Sequence, residues 1–236
     1  MAPLLVPTLA LLALVAIIAI GIGVPASGIF ASPVLRGHTT RARVALTFDD
    51  GPHRRFTPAI LDLLESRGHR GTFFVIGARA EQHEALLADL VRRGHEVANH
   101  TWRHSYTTNL MAPPALAAEL ERTNALVQRV TGVRPRWFRP PVGLLSPRIE
   151  RAARLAHLEL VAWTATARDG VRATTVDDAF ARLERALAPG AILVLHDARL
   201  SGDDEPIARA VLARLLDVMD ARGLKSVTLT ECCAPS

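Results

Sequence analysis

Apolar segments that suit β-strands alternate with segments of helical spacing from Val44 almost to the C-terminus. This alternation predicts a parallel sheet covered by helices, because parallel neighbours need a long crossover connection that is usually a helix. Seven strands are predicted, at residues 44–48, 72–76, 95–98, 137–138, 158–163, 191–195 and 226–229. The predicted helices are residues 57–67, 80–93, 113–130, 147–156, 176–187 and 206–222. Fully apolar runs such as 192–195 fit a sheet buried on both faces. The sequence therefore predicts an α/β fold with about seven parallel strands.

A separate apolar segment lies at the N-terminus. Residues 4–24 carry no charge and consist mainly of Leu, Ile, Val and Ala. At about 1.5 Å per residue, a helix of this length can cross a hydrocarbon core of about 30 Å. We expect residues 1–24 to be a transmembrane signal anchor or a cleaved signal peptide, and the long apolar run without a charged start favours the anchor. Residues 25–42 then form a linker, and residues 43–232 form the main domain.

The charge distribution argues against a nucleic-acid partner, and the cysteine spacing argues against a cysteine metal site. The formal net charge is +5, and Lys225 is the only lysine among the basic residues. The arginines are scattered, without a basic stripe that has interleaved aromatic residues, so no nucleic-acid partner is predicted. Cys232 and Cys233 are adjacent, which is not a metal-binding spacing, and we expect free thiols or an intermolecular bridge. No obligate protein partner is predicted.

Reactive side chains follow the predicted strands. They are Asp49 and Asp50 after the first strand, Asn99, His100 and His104 after the third, Arg139 after the fourth, Asp169 after the fifth, and His196 with Asp197 after the sixth. The carboxyl ends of parallel strands meet at one edge of a sheet or barrel, where α/β enzymes build their active sites. The sequence therefore predicts that these side chains gather in one site.

Two histidines and a carboxylate suggest a metal site. His100 and His104 are four residues apart, so one helical turn would bring both imidazoles to the same side. With Asp50 they form a set that suits a divalent ion with open positions for water and substrate. Zinc is the metal we expect, and the same ligands also accept cobalt, nickel or manganese. The alternative is that Asp49 and Asp50 belong to an ordinary surface turn with the following Gly-Pro.

Five motifs in order resemble those of the polysaccharide deacetylases, the NodB domains of carbohydrate esterase family 4. They are TFDDGP at 47–52, GTFFVIG at 71–77, GHEVANHTWRH at 94–104, FRPPVG at 138–143 and LVLHD at 193–197. The resemblance covers roughly residues 43–229. It implies a distorted (β/α) barrel of about seven parallel strands. It also implies a metal-dependent hydrolase of linear amides that removes N-acetyl groups from an N-acetylglucosamine-containing polysaccharide, such as peptidoglycan or a chitin-like chain, and releases acetate.

The resemblance also implies roles for individual residues. Asp50, His100 and His104 would bind the metal. Asp49 would be the general base, held by Arg139, and His196 the general acid, with Asp169 as its partner. The backbone N–H of Val142 would stabilise the oxyanion, while Pro141 and Trp102 would lie near the substrate. The chain departs from the family pattern at Val142, where a tyrosine is usual, at 163–170, where only the later aspartate is kept, and at Val194.

The sequence leaves two other functions open. The same site could hydrolyse acetyl esters on a xylan-type polymer, or the chain could be a non-catalytic, membrane-bound glycan-binding protein. Location is also open, since Arg36, Arg41 and Arg43 after the apolar segment favour a cytoplasmic main domain. A cell-wall substrate favours the outside, and we expect an extracytoplasmic domain that is membrane-anchored, or secreted if the leader is cleaved.

Overall fold

The structure, a computed structural model, describes residues 5–39, 41–171, 173–200 and 206–234. In these residues eight parallel strands form one sheet: β1 Arg43–Asp49, β2 Gly71–Val75, β3 Glu96–Asn99, β4 Trp137–Phe138, β5 Glu159–Leu160, β6 Ala165–Thr166, β7 Ile192–His196 and β8 Lys225–Ser226. Seven of them lie in the order β5-β4-β3-β2-β1-β7-β6, and β8 pairs with β1 outside this path. The parallel α/β fold predicted from the sequence is confirmed, as a distorted half-barrel.

The predicted strand at 158–163 differs most from the structure. Only β5 forms there, and a separate strand, β6, follows at Ala165–Thr166. β5 pairs with β4 and β6 pairs with β7, so these two strands are the opposite edges of the sheet path. The chain crosses between them in four residues, a span of at most about 18 Å. The sheet must therefore be strongly curved, which brings its two edges near each other.

The central strand β1 explains how the sheet carries a site. Successive side chains of a strand point to opposite faces. Val44, Leu46 and Phe48 belong to the main core between the sheet and its helices, where the Phe48 ring stacks on Phe73 at 4.8 Å. Thr47 and Asp49 therefore point into the concave interior of the sheet. There they contact a buried arginine, described below.

Nine helices are described: α1 Leu5–Gly23, α2 Phe56–Ser66, α3 Gly77–Gln82, α4 Glu84–Arg92, α5 Pro113–Thr131, α6 Pro147–Leu155, α7 Val176–Ala186, α8 Ala208–Ala221 and α9 Leu229–Cys233. The single helix predicted at 80–93 is in fact α3 and α4, because His83 has non-helical backbone angles. The last predicted strand is shorter than 226–229. The Thr228 side chain and Glu231 form a capping box there, which begins α9 instead.

The predicted N-terminal membrane span is not found. α1 forms over most of the predicted segment, and the first four residues of that segment lie outside the described residues. Among the residues that are described, no helix has the length and apolar character needed to span a bilayer. The following segment, predicted as a linker, lies against the sheet, where Val34 pairs with Val161 and Arg36 pairs with Ala191.

Candidate active site

Three predicted metal-ligating residues meet just beyond the carboxyl ends of β1 and β3. Oδ1 of Asp50 lies 3.4 Å from Nε2 of His100 and 3.2 Å from Nε2 of His104. One donor atom from each residue falls within 4.8 Å of the others, and all three side chains are buried. Asp50 has a φ of 73° and His104 a φ of 52°, so both residues turn sharply after their strands. The structure thus brings together a carboxylate and two imidazoles, but the helical turn expected between His100 and His104 is wrong: a loop with left-handed backbone at Thr101 and His104 joins them.

The protonation states of these side chains suit metal binding. Burial acts to raise the pKa of Asp50, but its close contact with His100 and the charges of His100, His196 and His104 hold it below its usual value. Burial and the neighbouring His100 lower the pKa of His104 to about 4. At neutral pH the carboxylate is therefore ionised and the His104 imidazole is neutral, which are the forms that coordinate a cation.

Hydrogen bonding around the cluster also fits a divalent cation. Oδ1 of Asp50 is buried and has no hydrogen-bond partner among the described residues. A buried anionic oxygen without a partner is costly, and a bound cation would remove that cost. Nδ1 of His100 lies 2.7 Å from the carbonyl oxygen of Arg139. Because a carbonyl only accepts, Nδ1 carries the proton, and the Nε2 lone pair is directed to Asp50 and the cation position.

Asp49 forms a buried ion pair with Arg139. Nη1 of Arg139 donates to Oδ1 of Asp49 at 2.7 Å and to the hydroxyl of Thr47 at 2.9 Å. Nη2 donates to the carbonyl oxygen of Ala162 at 2.9 Å, and the guanidinium lies 4.1 Å from the centre of the Phe74 ring. Burial lowers the pKa of Arg139, and the charge of Asp49 opposes that shift. These contacts fix Asp49 beside the metal-ligating cluster, with one oxygen held and the other available to a proton.

His196 and Asp169 form the second acid–base pair. Nδ1 of His196 lies 2.7 Å from Oδ1 of Asp169, and the backbone N–H of His196 donates to Oδ2 at 2.9 Å. Burial opposes protonation of the ring, but the charge and hydrogen bond of Asp169, followed by the charges of Asp50 and Asp49, raise the pKa of His196 to about 10. The imidazole is therefore protonated at neutral pH, with its other nitrogen free to donate. β1 and β7 are adjacent, with Asp49 opposite His196 in their register, so the two pairs face one cavity.

That cavity has a volume of about 620 Å³, and its lining contains Asp49, Asp50, both histidines of the cluster, His196 and Val142. Val142 has a φ of 59°, is 57% exposed and belongs to the lining of this cavity. Pro141 is buried just before it. Trp102, predicted near the substrate, lies elsewhere: its ring is buried, packs on Gly77 and is covered by the guanidinium of Arg122 at 3.6 Å.

Several cavity residues were not predicted as site residues. They are Tyr106, Trp163, Thr166, Arg168, Val171, Arg199 and Leu200. Tyr106 follows His104 by two residues, and this short distance in sequence could have indicated a site residue. In the structure Tyr106 is 73% exposed. The lining thus combines exposed apolar side chains with arginines, which suits a polar ligand with apolar faces.

Asp197 is a further polar residue that was not assigned a role. It is buried, accepts a hydrogen bond from the hydroxyl of Thr57, and donates its backbone N–H to the carbonyl oxygen of Asp49 at 3.2 Å. Burial raises the pKa of Asp197 to about 7. Its carboxylate lies directly against Gly51, where an added Cβ would come 2.2 Å from Oδ2. Asp197 therefore supports the turn that follows Asp49 and Asp50.

Backbone strain is concentrated around this cavity. Non-glycine residues with positive φ include Asp50, Thr101, His104, Val142 and Arg168, and all five lie in the loops that surround the cluster. Left-handed backbone is costly for such residues and persists where the surrounding structure enforces it. This concentration marks the strand-end loops as the functional surface.

Comparison with known protein families gives one match over more than half of the chain. The family model described as polysaccharide deacetylase matches residues 36–161. Among curated proteins, a peptidoglycan-N-acetylglucosamine deacetylase of Bacillus cereus is 31% identical over 190 residues, which cover 80% of this chain and 86% of the relative. A chitooligosaccharide deacetylase of Sinorhizobium fredii is 34% identical over 197 residues, covering 80% and 91%.

Solved structures of the same fold are also similar. A family 4 acetyl xylan esterase from Clostridium thermocellum, in complex with a cobalt ion, matches with a TM-score of 0.72 and 33% identity, covering 80% of this chain and 89% of that one. A family 4 pseudoenzyme from Bacillus anthracis matches with a TM-score of 0.75 and 25% identity, covering 86% and 69%. These similar structures therefore include both an esterase and a protein named as a pseudoenzyme.

Proposed function

The chain belongs to the polysaccharide deacetylase family and is a hydrolase, and we propose that it removes N-acetyl groups from an N-acetylglucosamine-containing polysaccharide and releases acetate. Peptidoglycan and chitin-like oligosaccharides are the proposed substrates, following the two curated relatives. We also propose that zinc is the metal. Cobalt, present in the related esterase structure, would be an active substitute.

One observation carries the proposal: the cluster of Asp50, His100 and His104 shares a single cavity with Asp49 and His196, and Arg139 holds Asp49 from behind the cavity lining. Amide hydrolysis needs an electrophile for the carbonyl, a base for the attacking water and an acid for the leaving amine. The cavity offers a candidate for each requirement. A structural metal site would need only the metal-ligating cluster. A surface turn would need none of the three groups.

The chain's own residues then divide the reaction between them. A divalent cation, when bound at the cluster, supplies Lewis acidity. Asp49, held by Arg139, takes a proton from the attacking water. His196, protonated through its contact with Asp169, donates a proton to the amine as the carbon–nitrogen bond breaks. The backbone N–H of Val142 would donate to the oxyanion, and the position of Val142 in the lining of the same cavity supports this role.

The test is acetate release by the purified chain from chitooligosaccharides, peptidoglycan and acetylxylan. We expect release from the first two, loss of activity with a chelator, and recovery on addition of zinc or cobalt. A chain that binds glycan but releases no acetate with either metal would contradict the proposal. That result would instead place it with the pseudoenzyme.

Ester hydrolysis is a second candidate function, because the acetyl xylan esterase is 33% identical. The same base and electrophile can hydrolyse esters. An alcohol is a better leaving group than an amine and depends less on protonation by His196. A faster rate on acetylxylan than on acetamido sugars would favour this function.

We further propose that the catalytic domain is extracytoplasmic, since a cell-wall polymer lies outside the membrane. An enzymatic reporter fused to the C-terminus tests the location. Reporter activity confined to the cytoplasm would contradict it.

A further inference from the structure

A second cavity continues from the catalytic one. It has a volume of about 470 Å³ and shares Trp163, Thr166 and Arg168 with the lining of the catalytic cavity. Beyond these shared residues it is lined by Arg182 and Arg185 of α7. We call this second cavity the arginine groove. A glycan chain bound at the catalytic cavity could extend into it without leaving the protein surface.

The three arginines keep most of their donors available. Among the described residues, no carboxylate pairs with Arg168, Arg182 or Arg185. Arg182 donates from Nη1 to the carbonyl oxygen of Ala167 at 3.3 Å, and Arg185 donates from Nε to that of Ala181 at 3.1 Å. Arg182 and Arg185 are three residues apart on α7, so they lie on one face of the helix. The remaining N–H groups of both guanidiniums have no partner in the described part of the chain.

The acidic residues of α7 do not neutralise the groove, because their contacts are elsewhere. Asp177 pairs with Arg214 at 2.5 Å, and Glu184 pairs with Arg222 at 2.9 Å. The Asp178 carboxylate accepts a hydrogen bond from the Thr175 hydroxyl at 2.8 Å, and the backbone N–H of Asp178 donates to that hydroxyl at 3.1 Å. The groove lining itself contains no acidic residue. Three positive charges therefore stand beside the catalytic cavity without compensation.

Guanidinium groups bind carboxylates through paired, charge-assisted hydrogen bonds. An acetamido sugar is neutral, so the anion must be carried by a neighbouring sugar or its substituent. We propose that the arginine groove is a subsite for a carboxylate carried next to the deacetylated sugar. The preferred substrate is then an anionic glycan with such groups, as in muramic acid-containing peptidoglycan, and not a neutral chitin-like chain. This inference rests on the proposed function and narrows its substrate class.

The test compares one pair of variants on matched substrates. Arg182→Gln/Arg185→Gln removes two groove charges, and Arg92→Gln/Arg151→Gln removes two exposed arginines of α4 and α6 that line neither cavity. Substrates are neutral N-acetylglucosamine oligomers, peptidoglycan fragments of equal length, and the same fragments with methyl-esterified carboxyls. The readout is the ratio of kcat/KM for the carboxylate-bearing fragment to that for the neutral oligomer.

We expect this ratio to fall about tenfold in the groove variant, mainly through KM, and to stay constant in the control variant. Esterified fragments should be hydrolysed equally by the groove variant and the original chain. Added salt should weaken the preference, because exposed charges are screened. An unchanged ratio, or an equal fall in the control variant, overturns the inference.

Direct binding separates this inference from the proposed function. Calorimetric titration of the peptidoglycan fragment into the chain and into the groove variant needs no turnover. If no substrate is hydrolysed but the fragment binds about tenfold more weakly to the groove variant, the subsite stands and the deacetylase proposal fails. Equal affinity in both proteins overturns the subsite whatever the activity.

Discussion

His100 donates a hydrogen bond from Nδ1 to the backbone carbonyl oxygen of Arg139 over 2.7 Å. The guanidinium of the same arginine holds the carboxylate of Asp49 at 2.7 Å. One residue therefore orients a metal-ligating imidazole with its main chain and the candidate base with its side chain. Arg139 is 1% exposed, so both contacts are shielded from water. Its position couples the cation site to the base that works beside it.

Replacing Asp49 by Asn should abolish turnover and leave metal binding intact. The amide can still accept from Arg139 but cannot take a proton, and loss of a general base costs about 10²–10⁴-fold in rate. Acetate release and metal content by elemental analysis are the measurements. Asp62→Asn, at an exposed carboxylate that pairs with Arg93, is the control and should behave like the original chain. Full activity of Asp49→Asn would mean that another residue is the base.

Replacing His100 by Ala should remove bound metal. The cluster loses one of its three donors, and the two that remain cannot enclose a cation. Metal content after dialysis against a defined zinc concentration is the measurement, with circular dichroism to show that the fold is kept. His38→Ala changes an exposed histidine outside the cluster and should retain the metal. Equal metal content in the two variants would refute ligation by His100.

Replacing Asp169 by Asn should move the pH dependence of activity. The raised pKa of His196, about 10, means that its ring remains protonated from acid pH through neutrality and loses its proton only as the pH rises towards 10. Without the Asp169 charge, burial dominates and the pKa falls. We therefore expect the alkaline limb of the kcat profile to shift to lower pH.

The same pair predicts how stability depends on pH. Because the pKa of His196 is raised by folding, its contribution to stability is complete below the usual histidine value of about 6.5 and is lost as the pH rises through about 10. The loss of melting temperature caused by Asp169→Asn should thus be larger at pH 6 than at pH 10. A loss that is equal at both pH values would show that the pair is not charged in the folded protein.

Replacing Gly51 by Ala should destabilise the protein and damage the site, whereas Gly170→Ala should be tolerated. A Cβ on Gly51 would approach Oδ2 of Asp197 to 2.2 Å, and Thr57 holds that carboxylate in place. Relief needs a shift of the turn after Asp50, at a cost of about 1–3 kcal/mol or more. A Cβ on Gly170 meets only the His196 ring, at 3.8 Å. Urea unfolding and metal content measure both variants, and equal stability would contradict the clash.

Much of the fold was predictable because buried strands and amphipathic helices repeat over a few residues. The parallel alternation of strands and helices and the strand-end location of the reactive residues follow from such local patterns. The break between β5 and β6 could not be predicted from such patterns, because the apolar residues at 158–163 continue across it. At this break the chain passes from one edge of the sheet to the other. α9 was not predicted, because the capping box that begins it lies in a short segment whose residues also suit the end of a strand.

Site prediction had the same limit. Asp50, His100 and His104 were predicted together from spacing and strand position, and the structure brings them within ligating distance of one point. Trp102 is two residues after His100 in the motif, yet its ring is buried in the core beneath Arg122. A motif specifies which residues are near in the chain but not which way each side chain faces.

The sequence by itself determined the order of strands and helices, and the chemical types of the side chains that each strand end presents. Tertiary structure decided that the Arg139 carbonyl sets the His100 tautomer and that Asp169 keeps the His196 ring protonated. It also decided that α7 places two arginines beside the catalytic cavity. The physical reason is separation along the chain: local periodicity acts over a few residues. These contacts join residues that are distant in sequence, and only the curvature and packing of the sheet bring them together.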